Sequence, residues 1–302
     1  MGTQQSKPPQ QQQRYVTNPQ KNSQPISRTN SQPSKNNAQS INHKCFKDRF
    51  SSYNDLEKGL RDAGLESSNL IIGIDFTRSN SWNGHNGQKK YFADKNLHSM
   101  IYQPNLYQQV ISIIGRTLEV FDEDKLIPSY GFGDTTTKDK SVFPFLVDAQ
   151  TGFEIPCYTF ANVLQMYNNI ANDIALGKIQ MSGPTSFAPL INKAIEIVQK
   201  EQSYHILLIV CDGSIDNKQE TIDAIVRASS YPLSIICIGV GGADFSDMEE
   251  FDDEIPERNF DNFQFVNFYE TMKECEDHEV EFARQAMQEI PDQYTYIKKH
   301  IL

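Results

Sequence analysis

Short, continuous apolar runs alternate along the chain with longer segments in which apolar residues recur at helical spacing. The clearest runs are NLIIGIDFT at 69–77 and HILLIVC at 205–211. Runs of this length are typical of strands that are buried on both faces, as they are in a parallel sheet. Further strands are expected at 126–133, at 142–147 as an antiparallel neighbour, at 233–240 and at 263–268.

Helical spacing occupies the segments between these runs. Leu106, Val110 and Ile114, for example, follow one another at intervals of four. Helices are expected at 51–64, 105–118, 158–176, 187–200, 218–229 and 268–290, with Pro291 ending the last of them. This alternation predicts an α/β fold: a three-layer, doubly wound, mostly parallel sheet with helices on both faces.

The first part of the chain follows neither pattern. Residues 1–42 are rich in Gln, Asn, Ser and Pro and hold few large apolar side chains. Such a segment cannot bury enough surface to offset the entropy of ordering it. We therefore expect a disordered basic arm at 1–50, one folded domain at 51–295 and a short tail at 296–302.

Charge divides the chain at nearly the same place. Residues 1–47 carry seven basic and no acidic side chains, and all 39 acidic residues of the chain come after them. The acidic balance of the folded part argues against nucleic-acid binding. A basic arm on an acidic domain favours contact between the arm and an anionic surface, such as that of a membrane.

The N-terminus gives a second reason to expect a membrane. Positions 1–6 read MGTQQS, which fits the pattern for myristoylation of Gly2 after Met1 is removed. One myristoyl chain binds only marginally, so the basic arm would supply the second attachment. Five cysteines without a CxxC pair, and no apolar leader, indicate reduced thiols in the cytosol. We therefore expect a peripheral protein at the cytoplasmic face of a membrane. The plasma membrane is the one expected.

Oxygen-bearing side chains follow both of the clearest strands. Asp75, Thr77 and Ser79 close the first in the pattern D-x-T-x-S, Asp212 closes the second, and a loop at 182–186 adds further hydroxyls. These groups should converge, because ligands bind beyond the carboxyl ends of parallel strands. An all-oxygen set predicts a hard cation, Mg²⁺ before Ca²⁺ or Zn²⁺, with a position left for water or for another protein's carboxylate. The alternative is that these residues cap helices without any metal.

These residues resemble the metal-ion-dependent adhesion site of von Willebrand A domains. The stretches LESSNLIIGIDFTRSN, GPTSFAPLI and YHILLIVCDG are similar to the copine-type subgroup. That subgroup includes copines and the plant RING-domain ubiquitin ligases with a copine-like domain, and the resemblance covers roughly residues 51–295. It implies that Mg²⁺ or Mn²⁺ is held, directly or through water, by Asp75, Thr77, Ser79, Thr185 and Asp212. Asp134, at the end of the strand expected at 126–133, is predicted to lie beside these ligands.

The chain also departs from that subgroup. Copines carry two C2 domains before this domain, where this chain has only the polar arm. The ligases carry a C-terminal RING, which needs around eight Cys or His ligands. After residue 240, the only Cys and His residues in the sequence are Cys275, His278 and His300. Ubiquitin ligase activity is therefore not expected, and the chain is predicted not to be an enzyme.

The function expected from these features is metal-dependent protein interaction. The metal would capture an Asp or Glu side chain of a partner protein, while the arm holds the complex at a membrane. Two alternatives stay open: a ligase-related adaptor that presents substrates for ubiquitination, and copine-like Ca²⁺-dependent phospholipid binding. The acid-dense segment 243–257 lacks the spacing of an EF-hand and is expected to be a solvated loop.

Overall fold

The computed structural model describes residues 51–83, 96–101, 103–213, 215–255, 257–274 and 278–302. The expected arm at 1–50 and Gly2 lie outside these residues. Strands are β1 (Asn69–Asp75), β2 (Leu126–Ile127), β3 (Ser129–Phe132), β4 (Phe143–Pro144), β5 (Cys157–Tyr158), β6 (His205–Cys211), β7 (Leu233–Gly239) and β8 (Phe263–Asn267). Helices are α1 (Tyr53–Asp62), α2 (Leu106–Leu118), α3 (Thr159–Ala175), α4 (Ala188–Glu201), α5 (Lys218–Ala228), α6 (Ser246–Asp253), α7 (Phe268–Glu274), α8 (His278–Met287) and α9 (Ile290–His300).

Six of the strands form a central sheet in the order β4-β3-β1-β6-β7-β8. All neighbours are parallel except β4, which runs antiparallel to β3. Every residue of β6 and of β7 is buried. Their continuous apolar sequences follow from burial on both faces, since a strand between two helix layers exposes neither face to water. The predicted α/β fold with a mostly parallel sheet is confirmed.

Helices cover both faces of this sheet, and alternate residues of each strand point to opposite layers. In β6, Ile206 and Leu208 pack in a cluster with α1, α2, α3, α8 and α9. Leu207 and Ile209 pack in a second cluster with α4, α5 and α6. The two clusters make the three layers that the element order predicts.

Side-chain caps fix where two of the helices begin. The hydroxyl of Ser52 accepts a hydrogen bond from Asp55 N over 3.2 Å at the start of α1. Asn105 and Gln108 form a capping box at the start of α2, each side chain bonding the other's backbone N–H. Such bonds satisfy N–H groups that the first helical turn leaves unpaired.

Three of the predicted elements are wrong in their extent. The strand expected at 142–147 is reduced to the two residues of β4. The strand expected at 126–133 is divided at Pro128, and β2 leaves the central sheet to pair with β5. The helix expected at 268–290 is divided into α7 and α8. Pro291 ends neither of them: it lies in the first turn of α9, where a missing N–H costs nothing. The boundary expected after residue 295 falls inside α9, in which Ile297 is fully buried.

The acid-dense segment 243–257 is not a loop throughout, because Ser246–Asp253 forms α6. Met248 and Phe251, three positions apart, bury one side of this helix against the sheet. Asp247 and Glu250 lie away from the sheet, and both contact the ammonium group of Lys218. Three-residue spacing of two apolar side chains was the signal for this helix.

No helix in the described part of the chain has the length and apolar character to cross a membrane.

Candidate metal centre

Asp75 and Asp212 meet at the carboxyl edge of the sheet. They end neighbouring parallel strands, in which Ile74 is paired with Val210. Their exposed fractions are 0% for Asp75 and 1% for Asp212. Two carboxylates have thus been withdrawn from water side by side, an arrangement that is costly unless a positive charge compensates it.

The loop after β1 links the two carboxylates through hydroxyl groups. The backbone N–H of Thr77 donates to Asp75 Oδ1 over 2.7 Å. Thr77 Oγ1 lies 3.0 Å from Ser79 Oγ, which in turn donates to Asp212 Oδ1 over 2.9 Å. A 3₁₀ turn at Arg78–Ser81 bends the chain so that residues two apart bring their oxygens together. Four of the five predicted ligand residues therefore form one hydrogen-bonded group.

Thr185 reaches the same place from the loop before α4. It lines a cleft of about 650 Å³ together with Thr77 and Ser79. Its backbone N–H donates to Asp216 Oδ2 over 2.7 Å, and Asp216 N–H donates back to Thr185 O over 3.1 Å. This reciprocal pair fixes the loop next to the end of β6. The role of Asp216 was missed from the sequence, although its position four residues after Asp212 was the available signal.

Asp134 lies just after β3, and its carboxylate stabilises the turn that follows it. Its Oδ1 accepts hydrogen bonds from the backbone N–H and the hydroxyl of Thr137. Gly133, just before it, has φ of +86°, and a Cβ there would lie 2.3 Å from Thr77 Cγ2. Glycine at this position lets the end of β3 approach the D-x-T-x-S loop. Asp134 thus lies near the predicted ligand residues, with its described side-chain hydrogen bonds directed to Thr137.

The electrostatics of the group call for a cation. Asp75 Oδ2 is buried and has no hydrogen-bond partner among the described residues. Burial raises the pKa of Asp75 above its ordinary value. Burial, and then the negative charge of Asp75, raise the pKa of Asp212 well above its ordinary value. Ser79 and Asn83, whose side chains donate hydrogen bonds to Asp212, are neutral. An unpaired carboxylate oxygen among hydroxyls is a donor set that fits a hard divalent cation.

A buried histidine, His98, contacts the backbone of Asp75. His98 Nε2 lies 2.9 Å from Asp75 O, and His98 Nδ1 lies 3.0 Å from the hydroxyl of Tyr167. A carbonyl oxygen can only accept, so Nε2 carries the proton and Nδ1 accepts from Tyr167. The ring stacks on Phe76 and Tyr107, with centroids 4.7 and 4.3 Å away. Burial lowers the pKa of His98 to about 3, so this side chain is neutral and holds the backbone of Asp75 in place.

The strand order and the oxygen groups at the carboxyl edge together define a von Willebrand A-like domain. The Copine family model matches residues 96–302. The chain belongs to the copine family.

Among its relatives, E3 ubiquitin-protein ligase RGLG4 of Arabidopsis thaliana is 47% identical over 274 residues, 85% of this chain and 65% of the ligase. RGLG5 of the same plant is 49% identical over 263 residues, 82% of this chain and 58% of the ligase.

One sequence relative outside plants and one solved structure cover a similar share of the chain. Copine family protein 2 of Caenorhabditis elegans is 45% identical over 251 residues, 83% of this chain and 3% of its own length. The manganese-loaded TRAP protein of Plasmodium vivax covers 68% of this chain and 70% of its own, at 9% identity and a TM-score of 0.39. Family membership therefore follows from the sequence relatives. The aligned part spans less than two thirds of the two plant ligases.

Proposed function

We propose that this protein is a metal-dependent interaction module that captures an acidic side chain of a partner protein. The observation that carries the proposal is the unpaired Oδ2 of Asp75, buried beside Asp212 and next to Thr77, which lines the cleft. Mg²⁺ or Mn²⁺ would be held by Asp75, Thr77, Ser79, Thr185 and Asp212, directly or through water. The bound ion would supply a positive charge to which a carboxylate from outside can bind.

The chain's own residues account for the acidity of the expected partner. Thr77, Ser79 and Thr185 are neutral, weak ligands, so the ion would stay electron-poor and able to bind a further carboxylate. A partner carboxylate that replaces a water molecule completes the set of oxygen ligands. The walls of the cleft would then select the partner, and among them Arg78 offers a positive charge and Trp82 an exposed aromatic face.

The direct test is affinity capture by the full chain from native lysate, with Mg²⁺ or with a chelator. The wild-type chain is compared with Asp75→Asn, which removes the charge and keeps the shape, and with Asp62→Asn as an exposed control. We expect a set of proteins that is retained only with metal, by the wild type and by the control. Identical profiles for wild type and Asp75→Asn would contradict the proposal.

We also propose that the arm holds the module at the cytoplasmic face of a membrane. The support is the MGTQQS start and the seven basic residues before position 48. Acylated chain should bind vesicles that contain an anionic lipid, and Gly2→Ala should lose most of this binding. Calcium chelation should leave it unchanged. A requirement for Ca²⁺ would favour copine-like phospholipid binding instead.

The names of the plant relatives favour a role in the ubiquitination pathway. We propose that the chain presents a captured protein for ubiquitination and does not itself conjugate ubiquitin. The copine domain is the part that aligns with those ligases. Incubation of the purified chain with E1, E2 and ubiquitin should give no conjugates, whereas the same mixture with an active RING ligase should give them. Conjugates formed by the chain alone would show that it is an enzyme.

A further inference from the structure

A second group of carboxylates lies away from Asp75 and Asp212. Asp252 comes from α6, Asp261 stands just before β8, and Glu289 stands just before α9. Each of the three offers one carboxylate oxygen, and these oxygens lie within 4.8 Å of one another. Asp261 stands at the amino end of a parallel strand, so this group occupies the edge of the sheet opposite to the first site. The three residues are far apart in sequence, and only the fold brings them together.

An unpaired amide oxygen lies beside these carboxylates. Gln293 is 4% exposed, and its Oε1 is buried without a hydrogen-bond partner in the described part of the chain. The Nε2 atom of the same amide donates to Glu289 Oε2 over 3.4 Å. Gln293 lines a cavity of about 290 Å³ with Asp261, Glu289 and Tyr296. An acceptor of this kind is the neutral ligand that accompanies carboxylates in oxygen-only cation sites.

The positive charge nearby does not balance the three carboxylates. Arg258 lies with its Nη1 2.7 Å from Asp261 Oδ1, and its other donors bind backbone carbonyls of 251, 252 and 255. Burial and the neighbouring carboxylates raise the pKa of Asp252 to about 7 and that of Glu289 to about 8. The carboxylates therefore hold protons more strongly than usual, and a divalent cation would replace these protons.

We infer that Asp252, Asp261, Glu289 and Gln293 Oε1 bind a divalent cation of the size of Ca²⁺, at a site separate from the first. Calcium–oxygen bonds of about 2.3–2.6 Å let one ion bridge oxygens that lie this far apart. Asp252 Oδ2 also accepts from Phe265 N over 3.1 Å, which holds α6 against β8. The ion would join α6, β8 and α9, so it would act on the stability of the domain rather than on the capture of a partner.

Terbium luminescence tests this inference, because Tb³⁺ replaces Ca²⁺ at oxygen sites and emits when a nearby tyrosine is excited. Tyr296 lines the cavity and is the expected sensitiser. The full chain carries Asp75→Asn and Asp212→Asn, which removes the first site from the measurement. We expect saturable emission that Ca²⁺ competes away. Glu289→Gln and Asp261→Asn should each weaken binding at least about 10-fold.

Two controls make the result specific to this site. Tyr296→Phe should lose the emission but keep the rise in melting temperature that Ca²⁺ produces. Glu270→Gln, an exposed carboxylate on α7, should leave both unchanged. Absence of tyrosine-sensitised emission together with absence of a Ca²⁺-dependent rise in melting temperature would overturn the inference, as would emission unaffected by Glu289→Gln. Arg258 would then be the counter-charge of the group within the described residues.

Discussion

The hydroxyl of Ser79 donates a hydrogen bond to Asp212 Oδ1 over 2.9 Å and so joins the loop after β1 to the end of β6. These residues are 133 positions apart. Their contact depends on β1 and β6 being neighbours in the sheet, because only then do the two strand ends face each other. The D-x-T-x-S motif is thus one half of a site whose other half is set by strand order.

Ser79→Ala should weaken both the site and the fold. The change removes one proposed ligand and leaves Asp212 Oδ1 without this donor. We expect Mg²⁺ affinity to fall at least about 10-fold. The free energy of unfolding without metal should fall by about 1 kcal/mol. Calorimetric titration with Mg²⁺ and urea unfolding measure the two effects, and Ser79→Thr, which keeps the hydroxyl, should restore most of the affinity. Unchanged affinity in Ser79→Ala would remove this residue from the ligand set.

Asp216→Ala should weaken Mg²⁺ binding although Asp216 is a positioning residue. Its carboxylate holds the backbone of Thr185, so its loss frees the loop that carries one of the proposed ligands. We expect affinity to fall by about 10- to 100-fold, as for other residues that orient ligands. Asp216→Asn retains an acceptor oxygen and should recover much of the affinity. Equal losses in both variants would indicate that the charge of Asp216, and not its position, matters.

His98→Gln should change how stability depends on pH. The folded pKa of His98, about 3, is below its ordinary value, so the folded state favours the neutral ring. This contribution is present above about pH 6.5 and is lost as the pH falls toward 3. The free energy of unfolding, measured with urea, should therefore fall less between pH 7.5 and pH 5 in His98→Gln than in the wild type. The opposite order would mean that the ring is charged in the folded protein.

Asp122→Asn should stabilise the protein at neutral pH. Asp122 is 2% exposed, its Oδ2 has no hydrogen-bond partner in the described residues, and burial raises its pKa to about 7. A raised pKa contributes stability at low pH that is lost as the pH rises from about 4 to about 7. The variant should therefore gain about 1 kcal/mol over the wild type at pH 8 and little at pH 4. Urea unfolding at the two pH values, with the exposed Asp62→Asn as control, measures the difference.

The saturation of the first site by metal should also stabilise the domain. A ligand that binds only the folded state adds about 2.7 kcal/mol at 100 times its dissociation constant. We expect the melting temperature to rise with Mg²⁺ in the wild type and not in Asp75→Asn. Because Asp75→Asn leaves the second group of carboxylates intact, any remaining rise with Ca²⁺ would belong to that group. A rise with Mg²⁺ of equal size in both proteins would place the bound ion elsewhere.

Errors in the predicted elements share one cause. The sequence 268–290 has apolar residues at helical spacing throughout, and spacing alone does not show where α7 ends and α8 begins. Pro128 interrupts the run at 126–133, yet only the pairing of β2 with β5 shows that the first part leaves the central sheet. Helix α6 was hidden because its many acidic residues outweighed the two buried apolar ones. Local pattern indicates the type of an element more reliably than its ends or its partner.

The sequence by itself determined the parallel strands β1, β6, β7 and β8, the two faces of the sheet and the oxygen-bearing residues at the ends of β1 and β6. These features depend on side chains that are close in sequence, so hydrophobic periodicity and short motifs report them. Only the tertiary structure decided that Asp216 fixes Thr185, that neutral His98 supports Asp75, and that Asp252, Asp261 and Glu289 meet. Each of these contacts joins different elements across the fold. Their geometry depends on strand order and helix packing, which no local pattern specifies.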